Sequence, residues 1–290
     1  MKEPLKRIEV LNEGYVELLD VMGNDETICD AARVSYADAS KRTNDRSLIR
    51  YMWSNLHSSP FEQVVFQFRC KMPIFIARQW VRHRTARLNE ISGRYSELPE
   101  EFYDYCEQGL PLQSQTNNQG SEAERVDGEP GWLLALKGHN QEGFHLYHEL
   151  LEAGVSKEIA RCHLPLSTYT QWYWQMDLHN LLHFLELRMH PHAQAEIRVY
   201  AEAIYEMIKE YVPLTIEAFE HYTLNGMKLS AMEIQAIGDL INTGTGTFTL
   251  KKLNTQLEWG MSSRELEAFE KKLKRMNLMF KTLQIIRSLF

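Results

Sequence analysis

Long apolar runs are missing from this chain, and no stretch approaches the roughly 18 apolar residues that span a membrane. Cysteine is sparse: Cys29, Cys70, Cys106 and Cys162 are scattered and form no Cys-x-x-Cys pair. That argues against a disulfide-stapled scaffold, and leaves reduced, packed thiols in a cytoplasmic protein as the expectation. A basic excess is lacking too. Lys and Arg number 32 against 39 Asp and Glu, a formal charge of −7, whereas general nucleic-acid binders usually carry a basic balance. Residues 1–7 are charged and lead into no apolar run, so neither a signal peptide nor an anchor is expected. There is no internal repeat and no extended low-complexity segment. What remains is ordinary globular material: 290 residues, 44% hydrophobic and 24% charged, with enough core to need no staple.

The first sixty residues read as mixed α/β. Gly14 to Met22 has a strand pattern, and Asn24-Asp25 offers an N-cap for a helix through Val34. A second helix is expected from Asp45 to His57. Val64, Phe66, Phe68, Cys70 and Met72 alternate with Gln67, Arg69 and Lys71, the clearest strand signal in the chain. Pro73 ends it, and an arginine-rich helix is expected from Ile74. Residues 108–130 are polar and aperiodic, which suggests an insertion or mobile loop. From Asn140 onward the pattern looks helical. One helix covers Glu142 to Ala153 and stops at Gly154, and a short one is capped by Ser156 and ended by Pro165. Another carries Leu178, Leu181, Leu182 and Leu185, and a long one runs from His192 until Pro213 interrupts or ends it. After residue 225 a further helix is expected from Ser263 to Met279, and Gly244-Thr-Gly-Thr reads as a turn.

One segment is out of keeping with the acidic total. Between residues 78 and 95, Arg78, Arg82, Arg84, Arg87 and Arg94 stand against Glu90 alone, a local formal charge of +4. On a helix, Arg78 with Arg82 and Gln79 with Arg82 would align in adjacent rows. Ser92 adds a hydroxyl, Gly93 an unobstructed backbone N–H, and Arg94 a planar fork of donors. This set suits a phosphate monoester. A solvated basic helix is the plainer reading, which Trp80, Val81 and Leu88 weaken because they half-bury the segment.

The order Arg82-His83-Arg84, seven residues, then Ser92 resembles the signature of the flavin-dependent thymidylate synthases. The match continues through Asn89-Glu90 and Ser92-Gly93-Arg94-Tyr95. Ala32 to Ser35, His57 to Glu62, Pro73 to Trp80, Ala160-Arg161 with Leu164-Pro165-Leu166, Leu187-Arg188, and His192-Ala193-Gln194 look like family segments in family order. The resemblance spans residues 10 to 222. It implies an α+β fold with a central, largely antiparallel sheet flanked by helices, assembled as a homotetramer with shared sites. Residues 1–224 would form the synthase domain, with the polar insertion at 108–130, and residues 225–290 a mainly helical extension.

It further implies reductive methylation of dUMP to dTMP, with 5,10-methylenetetrahydrofolate as carbon donor and NADPH-reduced FAD as hydride source. Gln79, Trp80, Val81, Arg82, Glu90, Ile91, Ser92, Gly93, Arg94, Arg161 and Arg188 would then bind dUMP. Ser59, Arg82, His83, Arg84, Glu90, Asp177, Leu178, His179 and His183 would contact FAD. Arg188 would be the catalytic group, favouring the ionised uracil N3. Read alone, it is a helix-end arginine near the C-terminal dipole. No cysteine lies in a setting that would serve the unrelated, cysteine-dependent thymidylate synthases. At some of the positions of Asp177, Leu178, His179 and His183 many relatives carry asparagine or arginine. On a straight helix Arg188 would point away from His179 and His183.

Two readings from other classes use the same residues. His179, His183 and Glu186 share a helical face, with His190 and His192 following, which could furnish a metal site. Trp80, Tyr95 and Tyr103 could stack on bases beside the arginines in an RNA binder.

Overall fold

The structure, a computed structural model, describes residues 3–34, 44–105, 109–115, 118–242, 265 and 267–276. Ser35, Cys106, Gln108, Gly244-Thr-Gly-Thr and both expected ends of the Ser263–Met279 helix lie outside the described residues. Two compact units are present, Met1–Leu224 and Asn225–Phe290.

The first unit opens with strands β1 (Lys6–Val10) and β2 (Gly14–Met22), then helices α1 (Asp25–Arg33) and α2 (Asp45–Ser54). Asn24 caps α1 reciprocally with Thr27, a capping box. After a one-turn 3-10 helix at Phe61–Gln63 come β3 (Val65–Pro73), α3 (Ile74–Trp80) and β4 (Arg87–Glu90). Then follow β5 (Pro111–Gln113), β6 (Ser121–Arg125), α4 (Glu129–Glu152) and α5 (Lys157–Ala160). The unit closes with β7 (Tyr169–Asp177), α6 (Leu178–Arg188), α7 (Ala195–Ile208) and α8 (Pro213–Phe219). In the second unit α9 (Ala231–Asn242) and helical residues 267–276 bury Ala236, Phe269 and Leu273, and Lys272 pairs with Glu233 at 2.6 Å.

The sheet has five strands in the order β1-β2-β3-β7-β4, and every pair is antiparallel. One face carries Val16, Leu18, Phe66, Phe68, Cys70, Met72, Trp172, Trp174 and Met176, all buried, against Trp80 of α3, Phe184 of α6, and Ile197 and Tyr200 of α7. Trp80 lies at the centre, with ring centroids 5.0 Å from Phe184, 5.3 Å from Trp174, 5.6 Å from Trp172 and 5.7 Å from Tyr200. Tyr200 also donates to the Lys71 carbonyl at 2.9 Å. A Cβ at position 14 would fall 2.1 Å from that hydroxyl, so only glycine fits there.

The other face holds a polar row set by register: Arg7 opposite Glu17, Glu17 opposite Arg69, Arg69 opposite Tyr173. Glu17 is 1% exposed and accepts from Arg7 at 2.7 Å and from Arg69 Nε. Burial pushes its pKa up, but the two guanidinium hydrogen bonds outweigh burial and hold it below the ordinary 4.5.

Several expectations change. The region after Asn140 is not all helix, because β7 is a central nine-residue strand. Its alternation of Thr170, Trp172, Trp174 and Met176 was a readable strand signal. The helix ending at Gly154 starts at Glu129, and residues 108–130 include the exposed β5–β6 hairpin. Cys29 and Cys70 are buried thiols, but Cys162 is exposed. α2 stops at Ser54, short of His57.

Removing one partner of a buried pair leaves an uncompensated charge, at a cost of roughly 3–5 kcal/mol. Glu17→Ala should therefore lower unfolding stability by about 3 kcal/mol in urea titrations at neutral pH. The Glu17 carboxylate contributes stability that is present above about 4.5 and lost as pH falls through its lower folded value, so the variant and parent curves should converge in acid.

Candidate functional site

The arginine segment is not the continuous helix expected from its spacing. α3 ends at Trp80, Arg82 to Thr85 form a turn, and Arg87 to Glu90 pair with Gln175 to Trp172 as the sheet's edge strand. The open edge of β7 supplies backbone partners that no local pattern shows, and Trp80 turns inward to the core instead of extending a row of like charges.

The turn lies along α6. Arg82, His83, Arg84 and Thr85 face Asn180, His183, Leu187 and Arg188 across a cleft of about 450 Å³. Arg188 Nε donates to His83 Nε2 at 3.1 Å, and Arg188 Nη2 donates to the Gln79 carbonyl at 3.2 Å. α6 is unbroken to Arg188, and the turn folded over its C-terminal half lets His183 and Arg188 border one cleft without distortion. Burial, then the charge of Arg188 and the neighbouring His183, hold His83 down to about 4. Burial also draws Arg188 below the ordinary 12.5, which leaves it charged at neutral pH.

Arg78, Arg82, Arg84 and Arg87 are exposed, and no carboxylate among the described residues lies within ion-pair distance of them. Arg94 pairs with Glu158 at 3.3 Å. A cationic cluster without its own anions attracts anions from solution.

A second group sits at the far end of β4. Ser92 Oγ accepts from the Arg94 N–H at 3.3 Å, and the Ser92 carbonyl accepts from Tyr95 and Ser96. Arg161 crosses this turn closely enough that a Cβ on Gly93 would lie 3.0 Å from its Cδ. Glu90 accepts from the Thr170 hydroxyl at 2.6 Å, and the Ile91 N–H donates to the Gln171 carbonyl. Three strand steps, about 10 Å, separate Arg87 from Glu90, so the cleft and the serine–glycine turn are two poles joined by β4.

Other expected residues are distributed around these poles. Ser59 is exposed beside the 3-10 turn that packs on α6. Asp177 caps α6 by accepting from Asn180 N at 3.0 Å. His179 packs on Trp53, and its buried Nδ1 has no hydrogen-bond partner. Val81 is the half-buried C-cap of α3. The Trp80 and Leu178 side chains are in the core, so only their backbones could meet a ligand. Trp80 and Tyr103 are fully buried and cannot stack on bases, unlike Tyr95. Among the described residues no three His, Cys, Asp or Glu side chains are grouped to hold a metal ion. Asn180, Thr85 and Thr170 were not anticipated. Only Asn180 had a signal, three residues before His183 on the same helix. Gln194, seen only as part of a family segment, hydrogen-bonds Gln79.

An α+β protein with such a cationic cleft beside its sheet edge has the kind of surface that attracts phosphate-bearing small molecules. Residues 17–214 match the family described as thymidylate synthase complementing protein. The flavin-dependent thymidylate synthase of Treponema denticola is 47% identical over 93% of this chain and 97% of its own, and that of Thermus thermophilus 48% over the same shares. That of Dictyostelium discoideum is 44% identical over 92% of this chain and 86% of its own. A UMP/dUMP methylase from Streptomyces cacaoi, solved with 5-Br dUMP, superposes with a TM-score of 0.66 at 34% identity, covering 74% of this chain and 98% of that one. The chain belongs to the flavin-dependent thymidylate synthase family.

The low pKa of His83 has a consequence for stability. As pH falls from about 6.5 to about 4 the unfolded chain protonates this histidine and the folded chain does not, so stability is lost across that window. Denaturant titrations at stepped pH should show this loss, and His83→Gln should remove part of it. An unchanged slope would mean that His83 titrates normally.

Proposed function

We propose that the chain methylates dUMP reductively to dTMP, taking the carbon from 5,10-methylenetetrahydrofolate and the electrons from NADPH through FAD. The observation that carries this reading is the cleft in which His83 and the Gln79 carbonyl hold Arg188 beside Arg82 and Arg84, with no carboxylate among the described residues paired to them. The exposed arginines, which pair with no carboxylate among the described residues, are charged groups that a phosphate-bearing dinucleotide would satisfy.

Ser59, Arg82, His83, Arg84, Glu90, Asp177, Leu178, His179 and His183 would hold FAD, Asp177 and Leu178 through backbone groups. When bound, the flavin supplies the two-electron chemistry that NADPH feeds. Ser92, Gly93, Arg94 and Arg161 would take the dUMP phosphate, with Gln79, Trp80, Val81, Arg82, Glu90 and Ile91 around the nucleoside. Arg188 would face the uracil. A full charge about 4 Å from a forming anion is worth at most about 4 kcal/mol at an effective dielectric of 20. That favours ionisation of the ring by roughly a thousandfold and makes C5 more nucleophilic.

The separation of the two poles along β4 supports a complete site built from several copies, a homotetramer in which one chain's serine–glycine turn serves another's cleft. Residues 1–224 would be the synthase domain and 225–290 an extension outside the chemistry.

The test is the visible spectrum of purified protein, followed by dUMP-dependent NADPH oxidation and dTMP formation. A flavin spectrum and dTMP are expected. Arg188→Ala should keep the flavin while dTMP formation falls about a thousandfold. Colourless protein that refuses FAD and ignores dUMP would overturn the reading, and normal turnover by the variant would remove Arg188 from it.

A further inference from the structure

His83 is placed to do more than line the cleft. Its backbone N–H donates to the Trp80 carbonyl at 3.0 Å, and its ring meets Phe184 edge-on at 4.9 Å. Phe184 is fully buried and stacked on Trp80, so the imidazole is mounted on the rigid aromatic core. The residues on either side, Arg82 and Arg84, are exposed and donate only. Within that turn, His83 supplies the side-chain acceptor that Arg188 bonds.

A guanidinium has five N–H donors in one plane. Two of those on Arg188 are spent, Nε on His83 and Nη2 on Gln79. Two anchors fix the plane, and three N–H groups remain for a ligand. Gln79 contributes a main-chain carbonyl, which its own side chain does not set. Among the described residues the His83 contact is the only side-chain anchor, and it requires an imidazole whose Nε2 carries no proton.

We infer that His83 is a positioning residue: in its neutral form, with the proton on Nδ1, it orients Arg188 through Nε2 so that the free guanidinium edge faces the substrate. The inference rests on Arg188 acting on the uracil as proposed above. The groups facing His83 agree with it. Arg188 and His183 both oppose a second positive charge on the ring, and burial adds to them. The role is separable from flavin contact, because it demands an acceptor at one point and not an aromatic ring.

Side-chain reach provides the test. A glutamine carbonyl can occupy the place of Nε2, whereas an asparagine carbonyl reaches only as far as Nδ1. In flavin-loaded protein, His83→Asn should lower kcat for dTMP formation by about 100-fold, the scale of a misplacement near 1 Å. Flavin content and the KM for dUMP should change far less, and His83→Gln should recover most of kcat. A readout without turnover uses the unsubstituted protein with ¹⁵N-labelled histidine. Its spectrum should show His83 neutral and protonated on Nδ1 through pH 6, with Arg188→Met moving its titration up toward 6.5. Equal kcat losses in the two variants, equal loss of flavin from both, or a proton on Nε2 would each overturn the inference. If unsubstituted protein makes no dTMP, the functional reading fails while the histidine spectrum still decides the pairing.

Discussion

The nine antiparallel pairs between β3 and β7, from Val65 opposite Asp177 to Pro73 opposite Tyr169, are the constraint on which the rest depends. They join segments about a hundred residues apart in the chain. They also launch α3 and α6 from opposite ends of the same two strands, so both helices return across one face of the sheet. Trp80 and Phe184 meet there, with Trp172, Trp174 and Tyr200 around them. Burying such rings contributes up to about 3 kcal/mol each, and their edge contacts about 1 kcal/mol more. The Arg82–Thr85 turn is the continuation of the residue most firmly held in that cluster. Its position against Arg188 follows from packing.

Two clusters of arginine show opposite uses of charge. Arg7 and Arg69 close on Glu17, whose burial would be untenable without them. Arg78, Arg82, Arg84 and Arg87 are exposed on a chain whose total charge is −7, yet no described carboxylate answers them. Mutual repulsion makes such a cluster a cost to the folded state, which is sustained by exposure to water and offset when an anion binds. Arg188 differs from these four. It is half-buried and hydrogen-bonded on two sides, a geometry that suits one orientation more than general attraction. Attraction and aim are divided between neighbouring arginines.

Edge placement has its own consequence. β4 is four residues long, exposed throughout, and bounded by arginine and glutamate, so it covers the side of β7 without offering a long apolar strand of its own. It also sets the distance between the cleft and the serine–glycine turn. Gly93 lets Arg161 lie against that turn, and Thr170 holds Glu90 at its base, so the far pole is as firmly built as the near one.

Much of this was legible in residue order. Alternation from Val64 to Met72 marked β3, Asn24 marked the start of α1, and the leucines from 178 to 185 marked α6, because each element sorts its side chains between core and solvent at its own period. The arginine, serine and glycine types that suit phosphate were visible as chemistry before any geometry. The alternation of β7 lies between helical patterns on both sides, which mask it. The end of α3 at Trp80 was not readable, because spacing favours continuing the helix, and only the unpaired edge of β7 draws residues 87–90 into a strand. Sequence alone determined the periods, the caps and the kinds of group available. Tertiary structure decided which of them meet: His83 with Arg188, Gln79 with Gln194, Arg161 with Gly93. Those contacts are set by strand pairing and core packing between segments far apart in the chain, and no local pattern of residues encodes a distance across a sheet.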